Sequence, residues 1–183
     1  MPCSRVMHQL YQEGKVRAIG VSNYSVEQME AWREVAPLHS NQPPYSLLRR
    51  EIEADVLPYA REHGIAILAY SPLARGLLTG KFTPDTTFPP GDSRATDPRF
   101  VGEAFQQNLR RVEQLKGLAA ELGKSVAQLA MRWVLDQPGV TVALWGARRP
   151  GQIAEAVGAT GWTLDEDVKA RIEAIMRDEG GSR

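Results

Sequence analysis

The sequence predicts an α/β protein built on a parallel sheet, and three observations carry that reading. Short apolar runs alternate with longer stretches of helical periodicity. No hairpin signal joins any two of the runs, so successive strands are linked through helices and lie parallel. The run from Ile65 to Ala69 ends in Tyr70-Ser71-Pro72 and opens into a Gly-containing loop to Lys81. That is how a strand buried on both faces delivers a ligand loop at its carboxyl end. The pattern contains four such units, and spacing alone leaves open whether they form a small open sheet or part of an eight-unit barrel.

Each element has its own justification. Residues Arg5 to Glu13 read as the tail of a helix with Val6 and Leu10 on one face, stopped by Gly14. Val16 to Val21 reads as the first strand, ending in the polar pair Ser22-Asn23. Ser25 with Gln28 forms a capping box for a helix whose inner face includes Val26, Met29 and Ala36. A shorter run after Pro37 ends in Asn41-Gln42-Pro43-Pro44-Tyr45, and Ile52, Val56, Tyr59 and Ala60 mark the helix that leads to Ile65.

Beyond Lys81, a Pro-, Gly- and Asp-rich segment at 82–104 predicts a long loop, either a functional lid or a tolerated surface insertion. Two helices follow, one lined by Phe105, Leu109, Val112, Leu115 and Leu122, the other by Val126, Leu129, Ala130, Trp133 and Val134. Ser125 with Gln128 repeats the capping box. Val140 to Trp145 is the last strand, and Gly146-Ala147-Arg148-Arg149-Pro150 turns into a short helix. Thr163 and Glu166 are the expected cap of a final helix packed through Leu164, Val168, Ile172 and Ile175, and the tail at 178–183 is expected to be disordered.

Composition narrows the function classes. With 22 basic and 22 acidic residues and no run of one sign, nothing points to nucleic acid or an anionic membrane. The single cysteine, Cys3, excludes an internal disulfide, and no Cys/His spacing suggests a metal site. No apolar segment is long enough to span a bilayer and no signal-peptide pattern opens the chain, so a cytoplasmic protein of one domain over 1–183 is expected.

Four motifs then resemble one family. Gly14-Lys15-Val16-Arg17-Ala18-Ile19-Gly20-Val21-Ser22-Asn23 is similar to a signature of the aldo-keto reductases. So are Asn41-Gln42-Pro43-Pro44-Tyr45, Ala69-Tyr70-Ser71-Pro72-Leu73 and Gly146-Ala147-Arg148-Arg149, in the right order from about Val6 to Met176. The likeness is strongest to bacterial members and to potassium-channel β-subunits. It implies the second half of a (β/α)8 TIM barrel, and an NADP(H)-dependent oxidoreductase lineage that reduces small-molecule carbonyls to alcohols. The family's catalytic Asp, Tyr, Lys and His belong to the first half and have no counterpart here. Tyr11, Tyr24, His8, His39 and Lys15 stand in the wrong motifs, so no catalytic residue is expected in this chain.

What the resemblance does imply is most of a nicotinamide-cofactor site. Ser22, Asn23 and Gln42 match the groups that hold the carboxamide, since hydroxyl and amide groups offer both donors and acceptors. Tyr70 matches the aromatic on which the nicotinamide ring stacks; on its own pattern it reads equally as a core tyrosine near a strand end. Ser71, Leu73, Gly76 and Lys81 match the loop over the pyrophosphate, although Lys81 alone reads as a solvated lysine. Gly146, Arg148, Gln152 and Glu155 match the adenosine end at the start of a helix, where Arg148 favours the 2′-phosphate of NADP, unless Arg148-Arg149 is a solvated turn.

There are departures from the family pattern. Ala156 replaces an asparagine that contacts adenine in many members, and Trp145 replaces a proline. A half-barrel would also leave two unpaired edges and strip the inward side chains, read here as Ile19, Val21, Ile67 and Val142, of partners. Self-association or an N-terminal-half partner is the expected remedy. Three functional readings stay open: part of a reductase, a non-catalytic NADP-binding or regulatory module, or an inactive structural remnant.

Overall fold

A computed structural model describes residues 2–177. The order of elements is α1 (Pro2–Gln12), β1 (Gly20–Ser22), α2 (Val26–Arg33), β2 (Ser40–Gln42), α3 (Val56–Glu62), β3 (Ala66–Ala69), α4 (Gly102–Glu121), α5 (Val126–Leu135), β4 (Val140–Ala143), α6 (Pro150–Val157) and α7 (Glu166–Arg177). Short 3-10 turns at Glu51–Glu53, Ala74–Thr79 and Pro98–Phe100 punctuate the connections. The expected disorder at 178–183 lies outside the described residues.

All four strands are parallel and stand in sequence order, β1-β2-β3-β4. Gly20, Ser40 and Ala66 align across the first three strands, as do Val21, Asn41 and Ile67. The register slips by one residue between β3 and β4, where Leu68 pairs Val142 and the skipped Thr141 accepts a hydrogen bond from Ile67 N at 3.3 Å. Buried and open residues alternate along β2 and β3, which is the pattern of a sheet covered by helices on one face.

That alternation corrects one expectation. Ile19 and Ile67 are fully buried in the cluster that contains Met29 and Trp32, so they pack toward the helices and not toward the barrel interior. Val21 joins the edge of the same cluster, and only Val142 among the four stands open, at 39% exposure. The open face carries small and polar residues across β1, β2 and the start of β3, with Gly20, Ser22, Ser40, Gln42 and Ala66 in alternate register, followed by the paired Leu68 and Val142.

The first strand is also shorter than the apolar run predicted. Before Gly20 the backbone is held by a side chain: Ile19 N donates to His39 Nδ1 at 3.0 Å, and His39 N returns a bond to Ile19 O at 2.8 Å. Both capping boxes are present as read, at Ser25/Gln28 and Ser125/Gln128. Helix α5 buries Val126, Leu129, Ala130, Trp133 and Val134, as its periodicity requires.

Two helix ends differ from expectation. Leu122 lies just past α4 and is 36% exposed, because the helix stops before that position can turn inward. The cap of α7 is Asp165, whose Oδ1 accepts from Val168 N at 2.8 Å, in place of Thr163. The preceding Leu164 is buried, with its N–H donated to Asp136 Oδ2 at 2.8 Å, and this sets the chain one step later into the helix. Asp136 also pairs with Arg132 at 2.8 Å in a nearly buried ion pair, so the same carboxylate finishes α5 and starts the approach to α7.

Candidate cofactor site

The polar residues picked out by sequence sit at the carboxyl ends of adjacent strands, where parallel α/β sheets place their ligands. Ser22 closes β1, Gln42 closes β2, and Tyr70 follows β3. Ser22 Oγ donates to Gln42 O at 2.9 Å and Asn23 N to the same carbonyl at 3.2 Å. Asn23 adopts φ 60°, a conformation that asparagine tolerates better than most residues. This brings its side chain to Tyr70, whose phenol donates to Asn23 Oδ1 at 3.1 Å. Neither Asn23 Nδ2 nor the Gln42 amide has a hydrogen-bond partner among the described residues, so both can still meet a ligand.

Two residues that sequence reasoning did not single out hold this corner. Asn41, fully buried, clasps the Tyr24 backbone with Nδ2 to Tyr24 O at 3.0 Å and Oδ1 from Tyr24 N at 3.4 Å, fixing the turn that carries Asn23. Tyr45, also fully buried, donates its N–H to Tyr70 O at 3.0 Å, while Tyr70 N donates to Pro43 O at 3.0 Å. The signal for both was their place inside the Asn-Gln-Pro-Pro-Tyr motif. A buried asparagine between apolar strand residues is costly unless it is fully hydrogen-bonded.

The loop after Tyr70 is unusually constrained. Ser71, Ala74 and Arg75 have φ of 56°, 47° and 56°, and Gly76 has φ 95°. Such a run of left-handed residues is rare outside glycine and tends to collect at ligand sites. A Cβ added at Gly76 would stand 3.2 Å from both Cε and Nζ of Lys81, so the lysine folds back across the glycine. Lys81 Nζ also lies 4.9 Å from the Phe82 ring centroid. The structure thus brings Gly76 and Lys81 together, with an ammonium over a bare backbone. Gly76 N is already donated to Leu73 O at 2.9 Å, and Ala74 N to Ser71 O at 2.9 Å, so within this loop those two N–H groups serve the turn itself.

The long segment that follows is tied onto this loop. Arg75 donates to Ser93 Oγ at 2.9 Å and lies 3.7 Å from Asp97. Asp97 and Asp92 each receive their own forked arginine, Arg99 and Arg94. The side-chain hydrogen bonds from Arg94 hold Asp92 down at about 2, and those from Arg99 lower Asp97 as well. Phe82, Phe88, Phe100 and Phe105 pack beneath, edge to face except for the stacked Phe100–Phe105 pair, with centroids 5.4 to 6.3 Å apart, which anchors the segment to the core.

The last group stands at the far side of β3. Leu144 N donates to Ala69 O at 2.8 Å, which continues the ladder to the turn holding Gly146 and Arg148. The exposed Arg148 gives its N–H to Gln152 Oε1 at 2.7 Å, and Arg149 N does so at 3.1 Å, so the Gln152 amide oxygen caps the entry to α6. The Glu155 carboxylate accepts from Ser125 Oγ, and its carbonyl accepts from Gln128 Nε2 at 3.2 Å. Glu155 therefore faces α5, the one candidate whose side chain is committed to a neighbouring helix.

Tyr11, Tyr24, His39 and Lys15 have partners of their own. His39 accepts from Ile19 N and lies 5.4 Å from the Tyr11 ring, Tyr24 packs edge-on to Trp32 at 6.0 Å, and Lys15 pairs with Glu13 at 2.6 Å. Among the described residues no group of three or more His, Cys, Asp or Glu could hold a metal, and no helix is long and apolar enough to cross a membrane. A cavity of about 480 Å³ between Leu47, Pro98, Asn108 and Met176 includes none of the candidate residues.

A parallel sheet with helical crossovers and polar side chains at the carboxyl ends of its strands defines an α/β protein whose ligand edge is that end. Comparison with known proteins is more specific. The model of the Aldo/keto reductase family matches residues 2–177, and the chain belongs to that family. It is 52% identical over 176 residues to aldo-keto reductase YhdN of Bacillus subtilis, covering 96% of this chain and 53% of the relative. It is 35% identical to the NADH-specific methylglyoxal reductase of Escherichia coli, covering 88% of this chain and 49% of that protein. Among solved structures it superposes on glycerol dehydrogenase AKR11B4 from Gluconobacter oxydans with a TM-score of 0.93 and 47% identity, covering 98% of this chain and 55% of that one. The chain thus spans about half the length of the relatives it matches, and its four-stranded sheet corresponds to about half of an aldo-keto reductase barrel.

Proposed function

We propose that the chain is the NADP(H)-binding half of a carbonyl-reducing aldo-keto reductase. The observation that carries this reading is the corner in which Tyr70 donates to Asn23 while the Asn23 and Gln42 amides keep donors for a ligand. A flat ring laid on Tyr70 would find its carboxamide between those two side chains and Ser22. The bound nicotinamide would supply hydride to a carbonyl carbon. The chain's own residues hold the ring flat, turn one face outward and neutralise phosphate charge.

The rest of the donor set fits the same ligand. Lys81 over Gly76 offers a cation where backbone can approach closely, which suits a pyrophosphate. Arg148, exposed at the entry to α6, can make paired hydrogen bonds to a 2′-phosphate, which favours NADP over NAD. The Escherichia coli relative is NADH-specific, so this preference is the point to test. On this reading the proton donor for the carbonyl oxygen comes from outside these residues, and a partner covers the open edges of β1 and β4.

NADPH titration followed by tryptophan fluorescence tests the reading, with NADH as the comparison. Saturable binding is expected, tighter for NADPH, with Arg148→Ala weakening NADPH by roughly tenfold and leaving NADH little changed. The chain alone should not oxidise NADPH when a carbonyl is added. A folded sample that binds neither nucleotide refutes the proposal and leaves a structural role.

A further inference from the structure

We infer that Tyr45, Glu53, Arg50 and Glu173 form a positioning network through which the C-terminal helix sets the nicotinamide corner; this rests on the cofactor reading above. The chain of contacts is continuous. Tyr45, fully buried, donates its N–H to Tyr70 O on one side, and its phenol donates to Glu53 Oε1 at 2.6 Å on the other. Arg50 grips Glu53 with Nε at 2.8 Å and Nη2 at 3.0 Å, and reaches α7 with Nη1 at 2.9 and 2.8 Å from the two oxygens of Glu173. The Arg50 guanidinium lies 4.9 Å from the Trp133 ring centroid, and Tyr45 packs on the same ring at 5.3 Å.

Two features make this more than a surface ion pair. Arg50, Glu53 and Glu173 are each about two-thirds buried, with side-chain exposures of 31%, 32% and 28%. Every side-chain hydrogen bond in the set involves a charged group, and the forked Arg50–Glu53 pair fixes direction as well as distance. The end of the network is the segment Pro43–Tyr45, which both donates to and accepts from the Tyr70 backbone. That segment continues directly from Gln42, so a shift of Tyr45 moves the ring-stacking residue and a carboxamide-holding residue together. None of the four network residues needs to touch the cofactor; they act through Tyr70 and Gln42.

The test uses the whole chain labelled with ¹³C in its tyrosine rings, with Tyr70 assigned through Tyr70→Phe. Glu173→Gln keeps the shape of the side chain and removes its charge, and Tyr45→Phe removes only the hydroxyl that meets Glu53. Both are expected to move the Tyr70 resonance without cofactor, and to weaken NADPH by roughly threefold to tenfold. The double variant should be no weaker than the worse single one, because both cut one chain of contacts. A Tyr70 resonance unmoved in Glu173→Gln and Tyr45→Phe, with only the melting temperature lowered, overturns the proposal. Absence of NADPH binding in the unmodified chain refutes the cofactor reading instead, and the resonance still decides the network.

Discussion

The two capping boxes allow a controlled measurement of how helix α6 is held to the rest of the protein. Ser25 and Ser125 cap their helices in the same way: each hydroxyl accepts from the N–H three residues on, at 3.3 and 3.2 Å, and each glutamine answers the cap backbone. The difference lies in what else the hydroxyl meets. Ser25 reaches Glu27, two residues away and exposed, whereas Ser125 donates to Glu155 on α6 in a partly buried contact. Removing the cap alone should cost about 1 kcal/mol in each case. At Ser125 the lost bond to a carboxylate adds about 1.5 kcal/mol, so Ser125→Ala should cost about 2.5 kcal/mol. For a chain of this size that is a fall in melting temperature of about 5–10 °C, against about 2–4 °C for Ser25→Ala. Urea unfolding by circular dichroism, with both variants and Glu155→Gln, completes the comparison. A coupling near 1 kcal/mol between Ser125→Ala and Glu155→Gln is expected for groups in direct contact, on the order of magnitude usual for such cycles. Equal losses for Ser25→Ala and Ser125→Ala would refute the reasoning and free Glu155 for the adenosine role that the family pattern suggests.

Three further outcomes follow from the same geometry. Ile172 is fully buried on α7, so Ile172→Ala should cost about 2–5 kcal/mol and Ile172→Val about 1 kcal/mol in urea unfolding; a smaller loss for the alanine would mean that α7 is loosely docked. Gly76→Ala places a side chain at φ 95° and within 3.2 Å of Lys81, so about 1–3 kcal/mol of strain and a weaker NADPH titration are expected, and unchanged binding would detach Lys81 from the site. The segment at 82–100 should loosen in acid: arginine bonds lower the folded-state values of Asp92 and Asp97, so their contribution is full above the ordinary carboxylate value of 3.8 and is lost as pH falls through the lowered ones, about 2 for Asp92. Amide exchange around Ser93 and Arg94 should rise across that window ahead of the core, and a flat profile there would count against the tethering role of these pairs.

The order and type of the elements were legible because helical periodicity, two Ser-x-x-Gln boxes and the absence of hairpin turns all point the same way. Strand ends were less legible. The run Val16–Ile19 looks like strand, yet its terminal backbone is satisfied by His39 from a residue twenty positions on, and no local pattern announces a side chain in place of a ladder partner. The orientation of Ile19 and Ile67 was misjudged because a strand buried on both faces carries no periodicity, and only the helices packed on it reveal which side is which. At the site, residue types were readable from the motifs, while partners were not. Gln152 and Glu155 look like two ligand groups in sequence, and folding puts the first on the backbone of its own helix entry and the second on Ser125. Asn41 and Tyr45 were hidden for a different reason: each holds the backbone of a neighbouring segment, Tyr24 and Tyr70, and no residue pattern announces such a bond.

On the proposed reading, the placement of these groups lets half a barrel carry most of a cofactor site. The candidate ring-holding residues close β1, β2 and β3 in turn, and the candidate phosphate and adenosine residues follow β3 and β4. An extended dinucleotide laid along that edge would meet consecutive neighbours, each fixed to the next by a ladder bond or by a side chain such as Tyr70 on Asn23. Its binding energy would then draw on contacts within these four strands, none of which requires a strand beyond β1 or β4. On the proposed reading a carbonyl substrate would stand on the outward face of the ring, over the open side of the sheet, where Gly20, Ser40 and Ala66 offer little to hold it. On the proposed reading, cofactor affinity is therefore a property of this chain, and substrate choice and proton delivery belong to whatever covers that face.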